Sequence, residues 1–68
     1  MTNKQFELIQ KIMQGATVEY IYHSVLQCWM YVLKQHEFML EVVKEITIKY
    51  LFNNGLVLCT NNVYSKTV

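Results

Sequence analysis

The first fifteen residues carry the hydrophobic pattern of an amphipathic helix. Apolar side chains recur every three or four positions from Phe6 to Ile12, which places them on one helical face. Asn3 precedes this run as a suitable N-cap, and Gly15 follows it where a left-handed glycine commonly ends a helix. The pattern predicts a first helix over about residues 4–14.

A second helical pattern begins at Thr17, which can serve as an N-cap. Its apolar positions step by three or four residues along one stripe: Val18, Ile21, Val25, Trp29 and Val32. Between Cys28 and Leu33 six consecutive residues are apolar, and a helix that is apolar all round must be covered on every side. The spacing predicts a second helix over residues 17–34.

A third helical pattern follows a short polar break at residues 34–37. Its apolar stripe consists of Met39, Val42, Val43, Ile46 and Tyr50. Glu45 and Lys49 form a favourable i,i+4 pair on the polar side, and Gly55 is suited to end the helix. The pattern predicts a third helix over residues 37–53. Because no Pro or Gly marks the junction, the second and third helices are either separate or one long bent element.

After Gly55 the hydrophobic period changes to that of a strand. Residues 56–60 and 63–68 are rich in β-branched and aromatic side chains, and Asn61–Asn62 between them suits a two-residue type I′ turn. This predicts a β-hairpin over residues 56–68. The expected fold is therefore a single α+β domain, residues 1–68, with three helices followed by a C-terminal β-hairpin.

The segment from Ile46 to Leu58 reads as an apolar helix end, a polar pair, a glycine and an apolar strand. This order resembles the third helix, turn and first wing strand of a winged-helix domain. The resemblance implies a recognition helix in the major groove of DNA and a wing on the DNA backbone. It would assign DNA contacts to Lys44, Thr47, Lys49, Asn61, Asn62 and Lys66.

The chain departs from the winged-helix pattern in two respects. Its second predicted helix is longer than the short helix expected before a recognition helix. The would-be recognition helix from Glu37 to Phe52 carries two lysines against three glutamates. A net negative helix is poorly suited to lie among phosphates.

The overall charge also disfavours nucleic acid as the main partner. The chain has 68 residues and a net charge of +1, with six lysines, five glutamates and neither Arg nor Asp. Strong nucleic-acid binding needs cations that neutralise phosphates. No secretory hydrophobic region and no apolar run of about 20 residues is present, so we expect a soluble cytoplasmic protein with no membrane partner.

The cysteines and histidines do not have the spacing of a metal site. Cys28 and Cys59 lie far apart in sequence, as do His23 and His36, whereas structural zinc sites take their ligands in close pairs. We therefore predict no metal and no cofactor. The cysteines fit reduced thiols in the cytoplasm, and a single disulfide between them is the alternative.

The sequence also lacks a recognisable catalytic apparatus. Cys28 lies in the most apolar run of the chain, where burial would make its thiol inert. The glutamates of the third predicted helix lie on one solvated face, and no glycine-rich phosphate loop occurs. The chain is predicted not to be an enzyme, and no catalytic residue is nominated.

The apolar content exceeds what one small core can enclose. Hydrophobic residues make up 53% of the chain, and no charged residue occurs between Tyr20 and Leu33. Aromatic residues and Met are enriched at protein interfaces. We nominate six interface residues: Tyr20, Tyr22, Trp29, Met30, Tyr31 and Phe38.

These observations predict a small non-enzymatic regulatory protein that acts by protein–protein binding. A symmetric homodimer is the default form of such an interface. The small size fits an accessory or inhibitor protein of a phage or mobile element. The alternative is a winged-helix DNA-binding regulator of transcription.

Overall fold

Residues 1–36 and 38–67, which the computed structural model describes, form two helices and a five-stranded antiparallel sheet. The sheet order is β3-β2-β1-β5-β4. In chain order the elements are α1 (Asn3–Met13), β1 (Thr17–His23), β2 (Cys28–Gln35), β3 (Phe38–Val43), α2 (Glu45–Asn53), β4 (Val57–Thr60) and β5 (Val63–Lys66).

Helix α1 lies within one residue of the predicted range 4–14. Its N-cap is Thr2 rather than Asn3, because Thr2 and Gln5 form a capping box. The Thr2 hydroxyl accepts a hydrogen bond from the Gln5 N–H at 3.2 Å, and the Gln5 side chain accepts one from the Thr2 N–H at 2.8 Å. Gly15 follows the C-cap with φ +105°, as the helix-ending role requires.

The predicted second helix, residues 17–34, is wrong. This segment is the antiparallel hairpin β1–β2, in which Val18 pairs with Leu33 and Tyr22 pairs with Trp29. Its β-branched and aromatic side chains pack well on a pleated surface and lose rotamer freedom in a helix.

The predicted third helix, residues 37–53, is wrong in its first half. Strand β3 occupies residues 38–43, and α2 begins after Lys44, whose backbone is extended at ψ 137°. Glu37 lies outside the described residues. Helix α2 buries Ile48 and Leu51 instead of the predicted stripe, of which Ile46 is 75% exposed.

The C-terminal hairpin is present as β4 and β5, although Val68 lies outside the described residues. Asn61 and Asn62 form its turn with φ of 52° and 65°, the positive values that a type I′ turn requires. The hairpin joins the main sheet, because Tyr64 of β5 pairs with Val18 of β1. The expected layout of three helices followed by a C-terminal hairpin is therefore wrong, and with it the layout on which the winged-helix resemblance rested.

The hydrophobic core lies between the helices and one side of the sheet, which we call the helix side. Leu8 and Ile12 of α1 and Ile48 and Leu51 of α2 pack there against buried strand residues. The strand residues of this core are Val18, Tyr31, Leu33, Val43, Val57 and Tyr64. On the opposite, outer side, Lys34 and Glu19 form an ion pair at 2.8 Å. No helix in the described part of the chain is long and apolar enough to cross a membrane.

Candidate functional site

The hairpin β1–β2 extends beyond the rest of the sheet. Strand β5 pairs with β1 at Val18 and Glu19, and β3 pairs with β2 from Tyr31 onward. Among the described residues, the strand pairs of residues 21–30 are therefore formed within this segment alone. We call residues 21–30 the arm. Each of its strands adds about 10 Å at roughly 3.3 Å per residue.

The arm closes through a turn at residues 24–27 that contains no Gly, Pro or Asn. Gln27 adopts a positive φ of 53° there. The Leu26 N–H donates a hydrogen bond to Nδ1 of His23 at 3.1 Å, which ties the turn to the end of β1. This contact supplements the turn preference of Ser24, which begins the turn.

Three aromatic side chains form an exposed cluster on the helix side, which we call the aromatic patch: Tyr20, Tyr22 and Trp29. Trp29 stacks on Tyr20 with ring centroids 5.3 Å apart and meets Tyr22 edge-on at 5.6 Å. Trp29 remains 57% exposed, Tyr22 51% and Tyr20 37%. Aromatic contacts therefore hold the patch together while solvent reaches all three rings.

The aromatic patch continues into the core through the buried Tyr31. The Tyr31 ring lies 4.5 Å from the Tyr20 ring and 6.0 Å from that of Tyr64, and Phe52 of α2 meets Tyr64 edge-on at 5.7 Å. Exposure increases along this row from Tyr64 to Trp29. The arm thus begins where helices α1 and α2 no longer cover the sheet.

Lys49 of α2 lies at the inner end of this row. Its ammonium donates a hydrogen bond to the Tyr64 hydroxyl at 3.1 Å and lies about 6 Å from the ring centroids of Tyr31 and Tyr64. This hydrogen bond raises the pKa of Lys49 above its usual value, and burial raises the pKa of Tyr31. In the structure the ammonium therefore points towards the phenols of its own chain.

The remainder of the arm carries no Lys or Glu, and it exposes two aliphatic side chains among the polar residues His23, Ser24 and Gln27. At the tip, Val25 is 82% exposed and Leu26 is 61% exposed. Ile21 and Met30, which pair across the two strands, lie half-buried on the outer side. The sequence analysis did not nominate Val25 and Leu26, because it placed them inside the predicted second helix and the turn at residues 24–27 contains no Gly, Pro or Asn that would have revealed it.

The six predicted interface residues do not form one surface. Tyr20, Tyr22 and Trp29 come together in the aromatic patch, and Tyr31 lies buried beneath it. Met30 faces the outer side of the arm, and Phe38 lies on the edge strand β3.

The residues nominated for DNA contact are also dispersed. Lys44 and Thr47 lie at the start of α2, and the Lys49 ammonium is bonded to Tyr64. Asn62 lies beside the base of the arm, where its carbonyl accepts from the Tyr20 N–H at 3.2 Å. Asn61 shares that turn, whereas Lys66 lies at the other end of β5.

The two cysteines are both accessible to solvent. Cys28 is exposed, contrary to the expectation of burial, and pairs across the arm with His23. Cys59 is exposed as well, and both thiols are free. Within residues 1–36 and 38–67 no cluster of three or more metal-ligating side chains occurs.

Comparison of the chain with protein-family models, with curated proteins and with solved structures finds no match.

Proposed function

We propose that this protein is non-enzymatic and acts by binding protein through its arm. The observation that carries the proposal is an exposed, uncharged hairpin, with Trp29 and Tyr22 on one side and Val25 and Leu26 at its tip. Contiguous apolar surface of this kind marks interaction sites on small proteins. Exposed aromatic side chains are the residue type most enriched at binding hot spots.

The charge of the arm favours a protein partner over a nucleic acid. Aromatic rings can stack on bases, but single-stranded nucleic acids also need cations along the backbone path. The arm has no lysine, and Lys49 beside it is engaged by Tyr64. An uncharged apolar groove on another protein fits the arm better than a phosphate chain does.

The arm pairs with no other strand of the described residues, and this gives a physical reason for it to bind a partner. A two-stranded hairpin without further cover is at best marginally stable in water. Burying the arm in a partner removes its aromatic surface from water, at about 25 cal/mol per Å² of apolar area. In this proposal the protein regulates its partner by covering the surface of the partner that binds the arm. It acts in the cytoplasm, where the exposed thiols of Cys28 and Cys59 stay reduced.

Site-specific photocrosslinking in native cells tests the proposal. A photoreactive amino acid replaces Val25 at the arm tip or, as the matched control, Ile46 on α2, two aliphatic positions that are 82% and 75% exposed. We expect a discrete protein adduct from position 25 and none from position 46, because only the former lies in the binding surface.

The adduct should also disappear when an unlabelled wild-type chain is added in excess, since both compete for one site. The proposal is wrong if position 25 gives no discrete adduct. Equal adducts from positions 25 and 46 would contradict it too, because they indicate nonspecific contact.

A further inference from the structure

We infer that the aromatic patch binds the same patch of a second copy of this chain, related by a two-fold axis. The inference rests on the proposed function and names the partner for one side of the arm. The outer side of the arm, with Ile21 and Met30, is not part of this contact.

The charge distribution suits contact of the patch with itself. In a two-fold interface a patch meets an identical patch, so a patch with a net charge would face the same charge on its copy. No charged residue occurs between Tyr20 and Leu33, and the net charge of the whole chain is only +1. The patch can therefore meet its copy without charge repulsion.

The shape of the molecule also suits a second copy. Helices α1 and α2 cover the helix side at one end of the sheet, and the arm extends uncovered at the other. Facing sheets pack about 10 Å apart, and a helix with its side chains is about 10–12 Å thick. The arm of a facing copy would thus lie at the height of the helices and fill the space beside them.

Phe52 marks the edge that such an arm would contact. It is 41% exposed at the end of α2 and touches Tyr64, the inner end of the aromatic row. In an antiparallel arrangement of two arms, the apolar tip of one copy reaches this edge of the other. Val25 and Leu26 would then be covered by Phe52 of the second copy.

The available area predicts a weak dimer rather than a permanent one. Aromatic side chains present about 150–250 Å² each, and about half of each patch ring is exposed. With the tip included, roughly 500 Å² per copy is available, below the ~800 Å² of a standard interface. We therefore expect a dissociation constant in the micromolar range, on the order of 10–100 µM.

The single tryptophan of the chain reports directly on this contact. Purified protein is examined from about 1 µM to about 500 µM by light scattering and tryptophan emission. We expect the mass to rise from 8.1 kDa towards twice that value, with a blue shift of the emission over the same concentrations as Trp29 leaves water. A monomer throughout this range, or a mass increase without a blue shift, would overturn the inference.

Substitutions that retain Trp29 test the surface. Tyr22→Lys places a charge in the patch at a 51% exposed position, and Phe6→Lys is the matched control on α1 at 54%. We expect Tyr22→Lys to weaken association at least tenfold, Tyr22→Ser to weaken it less, and Phe6→Lys to leave it unchanged. Circular dichroism verifies that each variant remains folded.

Association that survives Tyr22→Lys, or that Phe6→Lys weakens equally, would also overturn the inference. These outcomes are distinguishable from failure of the proposed function. If the pure protein is monomeric but position 25 still crosslinks to a different protein, the arm binds protein and the self-contact is wrong. If the pure protein dimerises and position 25 gives only a dimer of this chain in cells, the self-contact holds and the proposed occlusion of another protein is wrong.

Discussion

The contact between Lys49 and Tyr64 links helix α2 to the middle of the sheet. The ammonium donates to a phenol oxygen instead of a carboxylate, and it lies close to the ring of the buried Tyr31. A cation near aromatic rings is attracted by their negative faces. At neutral pH this arrangement keeps a charge at the boundary of the core with a phenol as its hydrogen-bond partner.

The same contact predicts a loss of stability in alkali. Burial raises the pKa of Tyr31 above 10.0, and the hydrogen bond to Tyr64 raises the pKa of Lys49 above 10.5. Above about pH 10 the unfolded chain releases both protons more readily than the folded chain, so rising pH favours unfolding. Urea unfolding from pH 8 to pH 11 tests this. The contribution of these two groups to the free energy of unfolding should be constant below about pH 10 and should decline above it.

Tyr31→Phe is the variant that isolates one part of this effect. It keeps the ring and removes the ionisable hydroxyl, so its unfolding free energy should decline less steeply above pH 10 than that of the wild type. Parallel declines in the two proteins would show that Tyr31 does not contribute.

At the scale of elements, two glycines define where the helices end. Gly15 has φ +105° and Gly55 has φ +71°. The N–H of the residue after each glycine donates a hydrogen bond to a carbonyl in the last helical turn: Ala16 to Lys11, and Leu56 to Leu51. No neighbouring heavy atom lies within 4 Å of the Cβ that a substitution would add at either glycine. A side chain at either position would therefore destabilise the fold through its unfavourable backbone φ and not through a steric clash.

Alanine at these positions should destabilise the fold unequally. The φ of Gly55 lies near the left-handed region that other residues can enter, whereas that of Gly15 lies well beyond it. We expect Gly55→Ala to lower the free energy of unfolding by about 1 kcal/mol and Gly15→Ala by about 2 kcal/mol. Urea denaturation of the two variants measures the difference. Equal losses would contradict this account.

Elements that end at a Gly or Asn with positive φ were predictable from sequence. Helix α1 precedes Gly15, and the turn of the C-terminal hairpin consists of Asn61 and Asn62, whose types favour positive φ. The turns before and after β2 lack this signal, because Gln27 and His36 take positive φ there. The polar break at residues 34–37 was visible, but no Gly or Asn marked the turn at residues 24–27, so the sequence did not divide residues 17–34 into two strands.

Periodicity did not resolve that segment either. The stripe from Val18 to Val32 fits a helical spacing, while Val18, Tyr20 and Tyr22 alternate as a strand requires. The apolar run after Cys28 was interpreted as a helix apolar on every side. It is a strand with apolar side chains on both faces, and Val32 on the outer side is 3% exposed.

The candidate site was predictable in composition and not in geometry. The uncharged stretch marked the region, and half of the nominated residues share the aromatic patch. Strand pairing decides on which face of the sheet the other nominated residues lie. Trp29 and Met30 are neighbours in sequence, but successive strand residues point to opposite faces.

The structure divides into a body that contains the core and an arm that lies outside it. None of the buried core residues belongs to residues 21–30. The core positions on β1 and β2 nearest to the arm are Val18 and Tyr31. The body should therefore fold without the arm.

A shortened chain tests this division. Residues 22–29 are replaced by Asn-Gly, which joins the cross-strand partners Ile21 and Met30 through a two-residue turn of the type that suits antiparallel strands. The contact of Trp29 with Tyr20 is lost, so we expect the free energy of unfolding to decrease by only about 1 kcal/mol. Urea unfolding, followed by circular dichroism, measures it.

The same variant should lose every binding property assigned to the arm. Light scattering should show a monomer at all concentrations, and a photoreactive residue at position 20 should give no adduct in cells, because two of the three patch rings and the apolar tip are gone. If the shortened chain does not fold, the arm is part of the folding unit. If it folds and still dimerises, the contact lies elsewhere, and the exposed edge strand β3, where Phe38 is 72% exposed, becomes the first surface to examine.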